Sequence, residues 1–233
     1  MASYVKTRFE VYGKKADVEK FISFISSETS DFDFNNVIPM PNELDIESGK
    51  IECLSFTYFC KKNGICNIPG RFDLYADKSL EQIEEQIRTL GKELEEYYKQ
   101  GELYYQNYMK YGYTSWYNWC CDMWGTKWNA SNIDYNGMYL CYRAENPEND
   151  KYVANYKFDT ARTPPIRIFS AIIKKFPELE FEMVSAGESC CEATIVRGKD
   201  GELDFDAFVG KEGHKIAVEI WGYDPDEEDE EEY

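Results

Sequence analysis

The stretch Val5-Lys6-Thr7-Arg8-Phe9-Glu10-Val11 sets apolar or small side chains at every second position against Lys6, Arg8 and Glu10, the period of a strand with one buried face. After Gly13 the apolar positions Val18, Phe21, Ile22 and Ile25 switch to helical spacing, so the chain opens with a strand-to-helix unit. The last third repeats the pattern. Residues 152–160 read as a strand, and Ile166, Phe169, Ile172, Ile173 and Phe176 form one helical face entered through Pro164-Pro165 and ended at Phe176-Pro177. Leu179, Phe181 and Met183 alternate in a following strand, and Cys191, Ala193 and Ile195 in the next. Lys199-Asp200-Gly201 then marks a hairpin turn, and Ile216, Val218 and Ile220 read as a final strand. Two such passes with further antiparallel pairing predict an α+β fold: a ferredoxin-like antiparallel sheet with helices on one face.

Between these passes the pattern changes. Residues 31–43, with Pro39 and Pro41 around Met40, read as irregular and extended. The β-branched and aromatic run 51–60 reads as a strand. Ser79 with Gln82 makes a capping box, and Leu80, Ile83, Ile87, Leu90, Leu94 and Tyr97 follow heptad-like spacing. That register continues to Tyr104, Tyr108 and Tyr111 through Gly101, which predicts a helix weakened or folded back at the glycine. Trp116, Trp119, Cys120, Met123 and Trp124 have helical spacing with Gly125 as a stop. The sequence thus predicts one domain over 1–223, with a long helical, Tyr/Trp-rich insertion at about 79–125 and a disordered acidic tail at 224–233.

Charge is the strongest compositional signal: 44 Asp and Glu against 26 Lys and Arg, a net of −18. Eight of the acids lie between Asp224 and Glu232, which leaves 36 against 26 and a net of −10 for the body. A chain of this sign is repelled by phosphate backbones and attracted to basic clefts, so direct nucleic-acid binding is disfavoured and a basic protein partner is expected. The eight cysteines contain no C-x-x-C, and His214 is the single histidine, placed in a turn-like stretch. No triad, two-histidine metal centre, Walker loop or dinucleotide fingerprint can be assembled from these residues. The sequence predicts neither an enzyme nor a metal or cofactor. Without a long apolar run or a signal-peptide core at Met1-Ala2-Ser3-Tyr4, it also predicts a cytosolic protein that does not engage a membrane.

Three groups of residues carry a family resemblance: Val37-Ile38-Pro39-Met40-Pro41; Trp116-Tyr117-Asn118 leading to Trp124-Gly125-Thr126-Lys127-Trp128-Asn129; and Phe158-Asp159-Thr160-Ala161 followed by Pro164-Pro165 and Phe176-Pro177-Glu178-Leu179. In this order, over about residues 30–185, they resemble the YubB-like, ferredoxin-like family of phage and plasmid proteins. One departure is Arg162, where the family pattern has a tryptophan after Thr-Ala. The resemblance implies the fold and a mobile-element origin, and the word ferredoxin in it implies topology without an iron–sulfur cluster. Joined to the charge, it leads to the expectation of a protein that inhibits a host defence factor by binding its basic cleft. The alternatives are a binder that sequesters a small molecule or nucleotide signal and a single-stranded nucleic-acid module stacking bases on aromatic rings. The candidate binding residues are Glu84, Glu85, Glu95 and Glu96 on the long helix, Trp116 and Trp119 as stacking or anchor groups, and Lys127 and Arg162 as cations near the aromatic segments.

Overall fold

The computed structural model describes residues 3–65, 70–91 and 93–225. The chain forms two compact units, Met1–Pro39 with Cys120–Tyr233, and Met40–Trp119. The predicted disorder of 224–233 falls, from residue 226 onward, outside the described residues.

In the first unit the elements are β1 (Tyr4–Gly13), α1 (Lys15–Ile25), β2 (Ser131–Tyr142), β3 (Lys151–Ala161), α6 (Ile166–Lys175), β4 (Glu180–Gly187), β5 (Glu192–Lys199), β6 (Glu202–Val209) and α7 (Gly210–Trp221). The second unit holds α2 (Lys50–Lys62), α3 (Leu80–Thr89) and α4 (Leu94–Tyr111), and the chain passes back to the first within α5 (Trp116–Met123). The six strands form one antiparallel sheet in the order β2-β3-β1-β4-β5-β6. Its β2-β3-β1-β4 portion, with α1 and α6 as the crossovers, is the ferredoxin-like arrangement.

The alternation in β1 has the expected consequence: Val5, Thr7, Phe9 and Val11 are buried. Phe9 is the hub, with ring centroids 6.0 Å from Phe21 of α1, 4.8 Å from Phe169 of α6, 5.9 Å from Phe181 of β4 and 5.4 Å from Phe32. Burying one such ring stabilises the fold by about 1.5–3 kcal/mol, so this cluster holds the front helices to the sheet. On the front of β5, Ile173 of α6 lies so close over Gly198 that a side chain there would meet it at 2.4 Å, and α6 also touches β6.

The segment expected to be a final strand is α7, and it covers the back of the sheet, so helices occupy both faces. Lys6 lies 4.5 Å from the centre of the Trp221 ring, Arg8 pairs with Glu219 at 3.2 Å, and Trp221 Nε1 donates to the Ala186 carbonyl at 3.0 Å. Alternation misled here because Gly213 and Ala217, the fully covered positions, are four apart. His214 accordingly belongs to this helix and not to a turn, with its ring nitrogens 3.0 Å from the Cys190 carbonyl oxygen and 3.2 Å from Asp224. The strand that follows the Asp200-Gly201 turn is β6. Both turn residues have positive φ, 53° and 79°, the geometry of a tight two-residue hairpin.

The second unit corrects two further expectations. Residues 51–60 lie in a helix, α2, which packs between partners through Leu54 and Tyr58 on one side and Phe56 and Cys60 on another. A helix buried nearly all round shows no single apolar stripe, and its aromatic content imitates a strand. The helical break falls at Gly91 (φ 73°), between α3 and α4, and Gly101 lies inside α4. A side chain at Gly101 would meet the Ser55 carbonyl oxygen at 2.1 Å, so the glycine is there for close helix packing. The insertion therefore spans Met40–Trp119 and not 79–125.

The Trp-Gly-Thr-Lys-Trp-Asn string is anchored inside the first unit. Trp124, 3% exposed, donates to the Ile38 carbonyl at 2.8 Å, Thr126 donates to the Ala161 carbonyl at 2.9 Å, and Asn129 bonds Phe34 N and Asp33 at 2.9 and 2.7 Å. Replacing Trp124 with alanine is expected to lower stability by about 3–5 kcal/mol in urea titrations. Unchanged unfolding would contradict a structural role for the string.

Candidate functional site

The carboxylates singled out on the long helix lie at the α3–α4 corner of the second unit. Glu84 turns inward: it pairs with Arg88 at 3.3 Å and Lys62 at 3.7 Å and accepts from the Tyr58 hydroxyl at 3.3 Å. Glu85 and Glu95 are exposed and lie 3.7 Å from Arg88 and 3.3 Å from Lys99, and Glu96 is exposed beside them. Tyr58, Lys62, Arg88, Glu93, Leu94 and Glu95 line an open groove of about 880 Å³. Its charges are mixed, with each cation already facing a carboxylate.

The aromatic candidates Trp116 and Trp119 belong to the second unit and the cationic candidates Lys127 and Arg162 to the first. Trp119 is 7% exposed and offers no ring face for stacking, while Trp116 is half-buried against Tyr117. Lys127 lies over the Trp128 ring at 4.6 Å. Arg162, held at φ 73°, lines a cleft of about 380 Å³ with Ser3, Thr163, Ser185, Glu188 and Glu192. Lys127 and Arg162 meet electrostatically at Cys121, whose thiol is nevertheless pushed up, first by burial and then by Asp122. Cys121 is therefore not an activated thiolate.

One deeply buried carboxylate invites a catalytic reading. Glu52, 3% exposed, accepts hydrogen bonds from Thr114, Ser115 (2.7 Å), Ser48 (3.0 Å) and the Gly49 N–H (3.0 Å). Four neutral donors occupy both oxygens, so Glu52 clamps the start of α2 to the segment before α5 and has no lone pair directed at a substrate. Among the described residues, no group of three or more His, Cys, Asp or Glu could hold a metal ion.

Ahead of the acidic tail, a further concentration of negative charge lies in the sheet of the first unit. Between Glu180 and Val209 the chain carries eight acids and two bases. Both bases are engaged internally: Arg197 bridges Glu182 and Asp206 at 3.1 Å each, and Lys199 meets Glu180 at 3.2 Å. Among the described residues no cation stands within ion-pair distance of Glu188, Glu192, Asp200, Glu202 or Asp204. The β4–β5–β6 end of the sheet is thus a negative surface, with β6 at its rim. Pairing of Arg197 with Asp204 and Ile195 with Asp206 puts Glu202, Asp204 and Asp206 on the α7 side, and Leu203, Phe205, Ala207 and Val209 on the other. The alternation Glu202-Leu203-Asp204-Phe205-Asp206-Ala207 is visible in sequence and was the available signal for this strand.

No protein-family model matches the chain, and no curated protein matches it. Among solved structures it is similar to a crystal structure of the protein api92 from Yersinia pseudotuberculosis, of the family called DUF1281. The identity is 9%, the alignment covers 90% of this chain and 99% of that one, and the TM-score is 0.41.

Replacement of Glu52 by alanine is expected to cost at least about 2 kcal/mol, because buried donors lose a charged acceptor, with a smaller loss for Glu52→Gln. Urea denaturation checks this. Equal stability of all three proteins would contradict the clamp.

Proposed function

We propose that the protein acts by binding, without catalysis, and that its partner is a basic surface of another protein. The observation that carries this reading is the β4–β6 end of the sheet, with a net charge of −6 from eight acids and two bases out of −10 for the body. Uncompensated carboxylates of one sign raise the encounter rate with a basic partner and repel nucleic acid. A basic cleft that normally holds nucleic acid is the matching partner. With the mobile-element resemblance, this leads to inhibition of a host nucleic-acid-binding defence factor in the cytosol. Among the described residues no helix is long and apolar enough to cross a membrane. The α3–α4 carboxylates contribute less to this reading than the sheet edge, since Glu84 is consumed by Lys62 and Arg88.

A second reading has one specific observation behind it, the Arg162 cleft, whose volume of about 380 Å³ falls in the range of small-ligand sites. Glu188 and Glu192 in the same lining oppose an anionic nucleotide and favour an uncharged or cationic ligand.

The test is affinity capture from a bacterial lysate with the full chain, followed by competition with single- and double-stranded nucleic acid. The expected partner is basic, is displaced by nucleic acid, and associates at least tenfold more slowly when salt rises from 50 to 500 mM. Reversing Glu188 and Glu192 to lysine should weaken capture more than reversing Glu85 and Glu95. Retention of a nucleotide or of nucleic acid by the purified protein, with no basic partner recovered, would overturn the proposal.

A further inference from the structure

We propose that β6 is a docking edge that takes up an extended segment of the partner by strand addition, the segment alternating basic and apolar side chains. This rests on the acidic-surface reading above and adds the mode of recognition to it.

The sheet has two rims, and they differ. Along β2 the pairing with β3 shifts register between Ser131 and Asp134, between Tyr135 and Met138, and between Leu140 and Tyr142. Such bulges bend a strand and spoil its outer edge as a template. Along β6 the pairing with β5 runs unbroken through eight residue pairs, from Glu192 with Val209 to Lys199 with Glu202. β6 contains no proline, lysine or bulge, three of the devices that blunt an edge. Nothing among the described residues pairs with its outer side.

The two faces of this rim specify the occupant. On the front, α6 touches β6 yet leaves Leu203, Phe205 and Val209 36%, 50% and 71% exposed. On the back stand Glu202 and Asp204, with Asp206 already shared with Arg197. An added strand shares the pleat of β6, so its side chains fall alternately beside the apolar row and beside the carboxylates. Apolar residues suit the first position and lysine or arginine the second. A second copy of the chain is the wrong occupant, since antiparallel self-pairing centred on Phe205 sets Asp204 against Asp206, and like charges directly opposite destabilise a pair. The amides are suitably placed: the Phe205 N–H donates to its neighbour Asp204 Oδ1 at 3.1 Å and not to β5. The N–H groups of Leu203, Phe205, Ala207 and Val209 therefore point outward, by the period of two. In the free protein the Asp204 carboxylate screens one of them. A basic side chain arriving from the partner draws that carboxylate away and leaves the N–H to pair with the added strand.

The test uses the full chain and three labelled octapeptides with blocked ends: alternating lysine and valine, alternating lysine and glycine, and alternating glutamate and valine. Binding is read by fluorescence anisotropy at 150 mM salt. The lysine–valine peptide is expected to bind at least tenfold more tightly than either other peptide. Ala207→Pro, which deletes one outward N–H and leaves the β5 pairing intact, is expected to weaken it at least tenfold without lowering the melting temperature. If that variant melts early, the pair Glu202→Lys and Asp204→Lys replaces it, with the same expected loss. Equal binding of the two lysine peptides, unaffected by the variants, would overturn strand addition and leave the acidic-surface reading standing. No binding of either lysine peptide would overturn both. Concentration-dependent dimers in sedimentation, abolished by Ala207→Pro, would overturn the proposal in favour of a second copy.

Discussion

The close packing of Ile173 on Gly198 fixes how α6 lies on the β5–β6 end of the sheet, and the character of that rim follows from it. Up to β5 the sheet is covered in front by α1 and α6, gathered on the aromatic cluster around Phe9. The last strand, β6, is touched by α6 but left largely exposed on its front. A fully covered β6 would be a buried strand with an apolar core face. Left open, it shows half-exposed Phe205 on one side and carboxylates on the other. The back helix α7 starts directly from Val209 and packs on Ala186 and Ala193 through Ala217, so it steadies β5 and β6 while leaving the rim open.

The polar interior divides into groups that hold the fold and groups that face outward. Glu52, Asn129, Thr126 and the Trp124 indole each end on a partner inside their own unit, as expected for buried polar atoms in a stable structure. Such groups are spent, because breaking any of them costs desolvation without return. The carboxylates of the β4–β6 end are the opposite case. Glu180, Glu182 and Asp206 take up Lys151, Arg197 and Lys199, and among the described residues no cation stands within ion-pair distance of the other five. Their effect on stability is small or unfavourable through mutual repulsion, which makes them a better candidate for recognition than for folding.

Local periodicity made much of the fold legible in the sequence. The alternation of Val5 to Val11, the helical face from Ile166 to Ile173, the capping box at Ser79 and the turn at Asp200-Gly201 all lie where the pattern placed them. The failures have one cause: periodicity reports one-sided burial, and some elements are not one-sided. α2 is buried nearly all round, so its residues imitated a strand. β6 is exposed on both faces and was passed over, and the alternating Ile216, Val218 and Ile220 of α7 drew the final strand to the wrong segment. For the candidate site, total charge was legible and its location was not. The sequence offers the glutamates of the long helix as one acidic face, yet which acids are neutralised depends on Lys62, Arg88, Arg197 and Lys199 reaching them in the fold.

Where a partner touches the molecule decides between the sheet edge and its rivals. Amide hydrogen exchange of the full chain, alone and saturated with a captured basic partner, locates that contact directly. New protection is expected at the outward amides of Leu203, Phe205 and Ala207, with α3 and α4 unchanged. Protection confined to the α3–α4 groove or to the Arg162 cleft, with β6 exchanging as fast as in the free protein, would contradict docking on β6.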